Sequence, residues 1–499
     1  MKAIKLFGQF SIIVLSLTLT SSCNKLLDIK PTDVIDADKA IVSMDDLKQA
    51  TVGVYSIMGN TNVSYRTAGN ADIILSSLMS DENYLPVENI TGNGVNTYKW
   101  LISADDQNTW ANWGSSVVTS NPVVFTGSNY AVIDRANRVL RVIESISENS
   151  VGDKQDKARI KGELLALRAH CHFQILKSYA ESYEPQAMGV PYMESINDAP
   201  GKVKPSRLTV AETFQKIERD LAEAKSLIPK TFTDVTRITS NAVSAIQARV
   251  FLYEKKWSNA VESSSEVIAA VPLVDTVQFK SMWSDASTAE VVWKLKKETD
   301  NDKIGLFYRT PTGVEYGAAL KLVNAFDRNN DGRFSIYIES NNSRGINKAV
   351  NLVNKYNLNK TITGLADIKL YRVAEMYLIR AEAYAELSGS VANALTLGSH
   401  DLTTLRTIRM KHYTHIDYPT KDALISSVYT ERFKELAFEG HRYFDLRRRN
   451  LDIDRKPIAT DDNGGESIFL SPSKKEYFLP IPGFEMRANE NMKQNPGYQ

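Results

Sequence analysis

The sequence predicts a mostly α-helical protein in which helix hairpins alternate with long irregular insertions. Three observations predict it. Apolar side chains recur at three- and four-residue steps in several separate stretches. Two of those stretches carry the small–aromatic–small spacing of tetratricopeptide-like hairpins. Between them lie two long insertions of weak periodicity, rich in Asn, Asp, Ser, Gly, Trp and Tyr.

The chain begins with a targeting segment. Lys2 and Lys5 precede a nearly continuous apolar run over 7–19, and Thr20, Ser21 and Ser22 lead into Cys23. This is the layout of a secretory signal peptide, and the run is shorter than the ~20 residues a membrane-spanning helix needs. Small residues directly before a cysteine resemble a bacterial lipoprotein box, although Leu19 stands four residues before Cys23 and Thr20 holds the usual leucine place. We therefore expect residues 1–22 to be a signal peptide, Cys23 to be lipidated, 23–34 to be a tether, and 35–499 to form a single domain. Acyl chains on Cys23 would hold a soluble body at a membrane face.

The helical stretches follow in order. Over 160–180, Leu165, Ala169, Phe173, Leu176 and Ala180 form one apolar stripe. The stretches 207–229, 241–268 and 371–389 have the same periodicity, and so do Ile425, Val428, Tyr429, Phe433, Leu436 and Ala437. Ala248, Phe251 and Ala260 match the hairpin spacing; Ala381 and Tyr384 open a second instance, whose next alanine, Ala394, comes one residue late. Small residues at these offsets let paired helices approach closely. The insertions span 76–119 and 271–316, and their aromatic content argues against disorder.

A net charge of +1 gives no argument for a nucleic-acid polyanion or an acidic membrane surface as partner, and no nucleic-acid partner is expected. Cys171 stands between His170 and His172, but neighbours one residue apart on a helix point away from each other, so a buried thiol is expected rather than a metal site. There is no nucleophile elbow, phosphate-binding glycine loop or His-Glu-x-x-His zinc helix. The acidic pairs Asp81–Glu82 and Asp105–Asp106 are expected to be solvated loop acids. Asp327, Asn329, Asp331 and Gly332 begin like a calcium loop, but Ile338 occupies its twelfth place and Glu339 arrives one residue late. A polar turn is expected there, and no cofactor or metal.

The C-terminal fifth is more specific. "ERFKELAFEGHRYFDLRR" (431–448) and "LPIPGFEMRANENMKQNPGY" (479–498) are similar to the hallmark segments of the SusD/RagB-like family of Bacteroidetes outer-membrane nutrient-binding lipoproteins. "CNKLLDIKP", "YAVIDRANRVL", "GELLALRAHCHFQILKSYA", "AIQARVFLYEKKW", "DGRF" and "RVAEMYLIRAEAYAEL" follow the family order. The resemblance implies a SusD-like fold with about four tetratricopeptide-like hairpins plus long irregular loops, an N-terminal part at about 35–320 and a signature part at about 321–499. It also implies a non-enzymatic, lipid-anchored protein of the cell outer membrane, facing the exterior, that binds oligosaccharide or polysaccharide for a SusC-like TonB-dependent transporter. Oligopeptide capture for a RagA-like transporter, and a protein-binding repeat scaffold, stay open beside it. The charged residues of the hallmark are expected to be scaffold.

A sugar site needs flat aromatic faces beside polar groups, and only the two insertions offer both. Expected ligand-binding residues are Asp81, Asn83, Tyr84, Tyr98 and Trp100 from the first, and Trp283 with Tyr308 and Tyr316 from the second. Trp110, Trp113 and Trp293 abut regular apolar runs and are expected in the core.

Overall fold

Five α-helices start where the sequence supplies a side-chain cap. Ser150, Thr209, Thr239, Asp275 and Thr420 each accept a backbone N–H from the first turn that follows, and Thr209 with Glu212 completes a reciprocal capping box. In the computed structural model the described residues are 40–59, 69–89, 91–106, 112–113, 128–196, 203–298, 303–359 and 361–498. Cys23, the targeting segment, the tether and Trp110 lie outside them.

Twelve of the helices matter here: α1 (Met44–Gly59), α2 (Ala71–Met79), α3 (Asn129–Val142), α4 (Val151–Tyr179), α5 (Val210–Leu227), α6 (Ser240–Tyr253), α7 (Trp257–Ala270), α8 (Thr276–Trp283), α9 (Val373–Glu386), α10 (Ala394–Arg409), α11 (Lys421–Glu435) and α12 (Arg442–Arg448). They pack as a succession of neighbours: α3 on α4, α4 on α5, α6 on α7, α7 on α9, and α9 on both α10 and α11. The turn 254–256 folds α7 back on α6, as short helix–helix connections do. The fold is the expected array of helix hairpins with irregular insertions.

The 160–180 stripe is wider than its periodicity suggests, because every residue of α4 from Gly162 to Tyr179 is buried. Its polar side chains are paired across the core, which is what burial requires. Arg168 Nε donates to Asp220 at 2.6 Å, Lys177 Nζ to Asp72 at 2.5 Å, and Glu163 accepts from Tyr55 at 2.7 Å. Cys171 is a free, buried thiol pushed up by burial. Trp113 lies edge-on to Tyr130 and Tyr179, and Trp293 stacks on Tyr371, both in the core as expected.

The insertions hold more regular structure than their periodicity shows. Strands β1 (Asn83–Tyr84), β3 (Gly317–Ala318), β4 (Ile338–Ser340) and β5 (Asn351–Val353) form an antiparallel sheet in the order β1-β3-β5-β4. Strand β2 (Val291–Leu295) pairs antiparallel with β6 (Ile368–Arg372), which runs directly into α9; β7 (Ile453–Asp454) pairs with β8 (Phe469–Leu470). Strands of two to five residues are too short to leave an alternation in the sequence. Among the described residues, no helix is long and apolar enough to cross a membrane.

The hallmark segment is the junction of the two halves. Arg333, Arg372 and Arg409 are buried with Glu290, Glu431 and Glu435. Arg333 Nη1 reaches Glu431 at 2.6 Å and Glu435 at 2.9 Å, while Arg372 Nη1 and Arg409 Nε reach Glu435 at 3.0 and 3.1 Å. Three guanidiniums around one carboxylate hold Glu435 far below the usual carboxylate range against a large opposing effect of burial. Asp331 of the calcium-like turn accepts from Arg333 at 2.7 and 2.8 Å, so the turn is a polar corner built around an arginine.

Candidate ligand-binding lobe

The irregular half is assembled on β1, and the residues singled out from the sequence lie around it. Arg442 Nε and Nη2 meet Asp81 at 2.6 and 2.9 Å, and Lys321 Nζ meets it at 2.6 Å. Burial alone would raise this carboxyl, but the two cations hold it at about 2. Its neighbour Glu82 faces no such pair: burial pushes it up to about 7, and its carboxyl accepts the Phe438 N–H at 3.0 Å. Asn83 Nδ2 donates to Gly317 O at 3.2 Å, and Tyr84 OH donates to Asp461 at 3.0 Å. The Tyr84 ring lies against Gly317, where an added Cβ would stand 2.2 Å from Cε1; only glycine leaves room.

The aromatic residues form a continuous interior layer. The Arg455 guanidinium lies 3.8 Å from the Tyr98 ring centroid and 4.1 Å from that of Trp100, and donates to the carbonyls of Leu78, Ser80, Tyr98 and Ser467. Trp100 has a left-handed backbone, φ +56°, and its Nε1 donates to Met79 O at 3.3 Å. Tyr316 stacks on Phe307 at 5.1 Å and its hydroxyl donates to Asn93 O. Tyr308 stacks on Tyr356 at 6.0 Å and its hydroxyl meets Ser77 Oγ at 2.9 Å. Trp283 sits edge-on to Tyr337 and Tyr356, with Lys355 Nζ 4.2 Å from its ring.

This corrects the expectation of exposed platforms. Asp81, Asn83, Tyr84, Tyr98, Trp100, Trp283, Tyr308 and Tyr316 are all buried, Trp100 being the most open at 7%. Seven of them do gather around β1 and β3, whereas Trp283 belongs to the hallmark junction. Their roles are those of a floor: their rings fill the lobe, and Asp81, Tyr84, Trp100, Tyr308 and Tyr316 turn their polar atoms to partners within it. The Asp81–Glu82 pair is likewise buried rather than solvated, because Arg442 and the Phe438 N–H come from the hallmark corner 361 and 356 positions away and Lys321 from 240 positions away, where no local pattern reveals them. Asp105 is exposed as expected, beside Arg487 at 3.1 Å, while Asp106 accepts from Thr97 at 2.8 Å.

An open recess of about 440 Å³ lies beside the lobe, between α1, the 234–237 turn and the end of β2. Tyr55, Arg237 and Lys297 line it. Tyr55 OH donates to Glu163 and accepts from Ile238 N, which fixes the ring beneath the Arg237 guanidinium at 4.7 Å. The sequence reading missed this group, because Tyr55 and Arg237 lie in helix and turn and only Lys297 comes from an insertion.

The fold, a helix-hairpin array carrying an irregular lobe, recurs in known proteins. Residues 75–252 match the family model described as starch-binding associating with outer membrane, and residues 313–498 match that of the SusD family. SusD-like protein P2 of Formosa agariphila is 22% identical over 98% of this chain and 99% of its own length. The starch-binding protein SusD of Bacteroides thetaiotaomicron is 32% identical over 133 residues, 27% of this chain and 22% of that protein. Among solved structures, a SusD superfamily protein of Bacteroides vulgatus superposes with TM-score 0.76 at 22% identity, covering 92% of this chain and all of the other. A SusD-like carbohydrate binding protein of the same species gives 0.73 at 22% identity, covering 90% and 97%. The chain belongs to the SusD/RagB-like family.

Proposed function

We propose that this protein is a non-catalytic lipoprotein of the outer-membrane surface, anchored through Cys23, that binds oligosaccharide and passes it to a SusC-like TonB-dependent transporter. The observation that carries the reading is the correspondence along nearly the whole chain with a SusD-like carbohydrate binding protein, both halves included. The match to the starch-binding protein SusD supports the same ligand class. The absence of catalysis is supported by the burial of the Asp81–Glu82 pair: Asp81 is engaged by Arg442 and Lys321 and Glu82 by the Phe438 N–H, so neither carboxyl opens onto a space a sugar could enter. Glycosidase chemistry needs one carboxyl to protonate a leaving group across a bound sugar.

On this reading sugar contacts fall to groups carried on the buried floor, and the eight residues act by holding those groups in place. Calorimetry of the purified protein against a glycan panel tests it. Binding without turnover is expected; hydrolysis of any bound glycan, or no binding across the panel, overturns it. The anchor is read by mass spectrometry of the native N-terminus, where a lipid-modified Cys23 is expected and an unmodified terminus refutes it. Gentle detergent extraction followed by affinity purification is expected to recover a β-barrel transporter, and recovery of the lipoprotein alone counts against delivery.

A further inference from the structure

The helical-repeat half has an opening of its own, and none of the eight residues of the β1–β3 reading lines it. Two clefts, about 630 and about 590 Å³, share Tyr183, Glu184, Tyr253 and Lys255 and so form one furrow. It crosses the turn between α6 and α7, with α12 and the segment after α4 as one wall and α5 as the other. Each cleft has the volume of a small-ligand site, roughly 300–1,000 Å³.

Its lining combines two kinds of surface. Tyr183 stands edge-on to Tyr253 at 5.1 Å, and Trp257, at the first turn of α7, is only partly buried. Phe478 is partly exposed on the opposite side, with the Arg447 guanidinium 5.3 Å from its ring and 5.4 Å from that of Tyr183. Between these rings the charges are paired. Lys255 meets Glu184 at 2.9 Å, Lys256 meets Glu218 at 2.5 Å and Glu254 at 3.0 Å, and Lys421 meets Glu386 at 2.5 Å. Arg448 and Arg449 both bind Glu382.

Paired charges remain hydrogen-bonding groups but leave little net field to draw a polyanion or an acidic peptide. Aromatic faces alternating with such pairs break up the continuous apolar groove an amphipathic helix needs, and no strand edge lines the furrow for an extended peptide to join. Rings that stack on C–H faces, beside planar donors and acceptors for hydroxyls, suit a neutral sugar chain. We propose that this furrow is a second binding site, on the repeat half, for a neutral oligosaccharide, with Trp257 and Tyr183 as its stacking faces. The proposal rests on the carbohydrate reading above and adds a site to it.

The test compares the intact protein with Trp257→Ala and Lys255→Ala, both partly or fully exposed positions, against neutral malto-, cello- and xylo-oligosaccharides and their polymers. Affinity electrophoresis and calorimetry read binding, and thermal melting reads folding. For the polymer that the parent binds, Trp257→Ala is expected to weaken retention at least about tenfold, with melting unchanged and Lys255→Ala showing a smaller loss in the same direction. If the parent binds a glycan and both variants bind it equally well, the second site is refuted while the proposed function stands. If the parent binds no glycan in the panel, both readings fall. If Trp257→Ala keeps full glycan affinity but no longer co-purifies with a membrane protein, the furrow is a protein contact and the proposal is overturned.

Discussion

Replacing Trp283 by alanine separates a stacking platform from a structural ring. The side chain is 1% exposed, with Phe279, Tyr337 and Tyr356 edge-on at 6.3, 6.0 and 5.9 Å. Truncating a buried Trp costs about 3–5 kcal/mol through lost transfer energy and the cavity left behind. Lys355, Lys369 and Arg372 also stand 4.2, 5.1 and 5.3 Å from the ring, and desolvated cation–π contacts contribute up to about 2 kcal/mol. Lys355 depends on such contacts, since burial already lowers its amine to about 7. The upper end, about 5 kcal/mol, is therefore expected. With unfolding entropy near 2.1 cal/mol/K per residue, a cooperative unit of this size changes by about 1 kcal/mol per degree, so the melting temperature should fall by about 5 °C. Scanning calorimetry of parent and variant, with glycan titration on each, is the assay. A variant that melts within about 1 °C of the parent yet loses glycan would refute the burial argument and restore Trp283 as a platform.

Three further outcomes follow from the same structure. Arg333→Met leaves Asp331, Glu431 and Glu435 facing one another with less compensation, and should cost about 3–5 kcal/mol in urea unfolding; the double variant with Glu431→Gln should cost less than the two single losses added together. Gly440→Ala, at φ +84° and with its Cβ 2.8 Å from the backbone of Asp72 and Ile73, should lose about 2 kcal/mol or more, whereas Gly53→Ala, inside α1 with nothing within 4 Å, should gain up to about 1 kcal/mol by the same measurement. Asp81 and Glu382 are both held at about 2 by arginines that outweigh burial, while unfolded carboxyls titrate near 3.9 and 4.3. Their contribution is present above about pH 4 and lost as pH falls towards 2, so stability should drop by several kcal/mol over that interval, and Asp81→Asn should flatten the drop.

The repeat half was legible because its signals are local. The apolar steps of α5 and the small residues of α6 and α9 each lie within a few turns of one another. The hallmark charges were legible as scaffold, since arginines and carboxylates one turn apart with no catalytic partner suit pairing across elements. Exposure of the aromatics was not legible. Composition distinguishes an ordered insertion from a disordered one, but whether Tyr308 faces solvent depends on Tyr356 and Phe438, which arrive from elsewhere in the chain. The short strands escaped for a related reason: β1 and β3 exist as a pair, and neither has enough length to announce itself.

The attachment of β1 to the hallmark corner has a consequence for how the molecule comes into being. Asp81 meets Arg442 361 positions later, Glu82 meets Phe438 after 356, and Tyr84 meets Asp461 after 377. A chain made N-terminus first delivers Asp81, Glu82 and Tyr84 long before their partners. Hairpins such as α6–α7 can close as they emerge, because their contacts are local and closure entropy is small. The irregular lobe must instead wait for the last fifth of the polypeptide, carrying a bare Asp81 and a set of unburied tyrosines meanwhile. Assembly is thus expected to run from the repeats inwards to the lobe, with the stretch around β1 left unpaired until the last fifth of the chain is made.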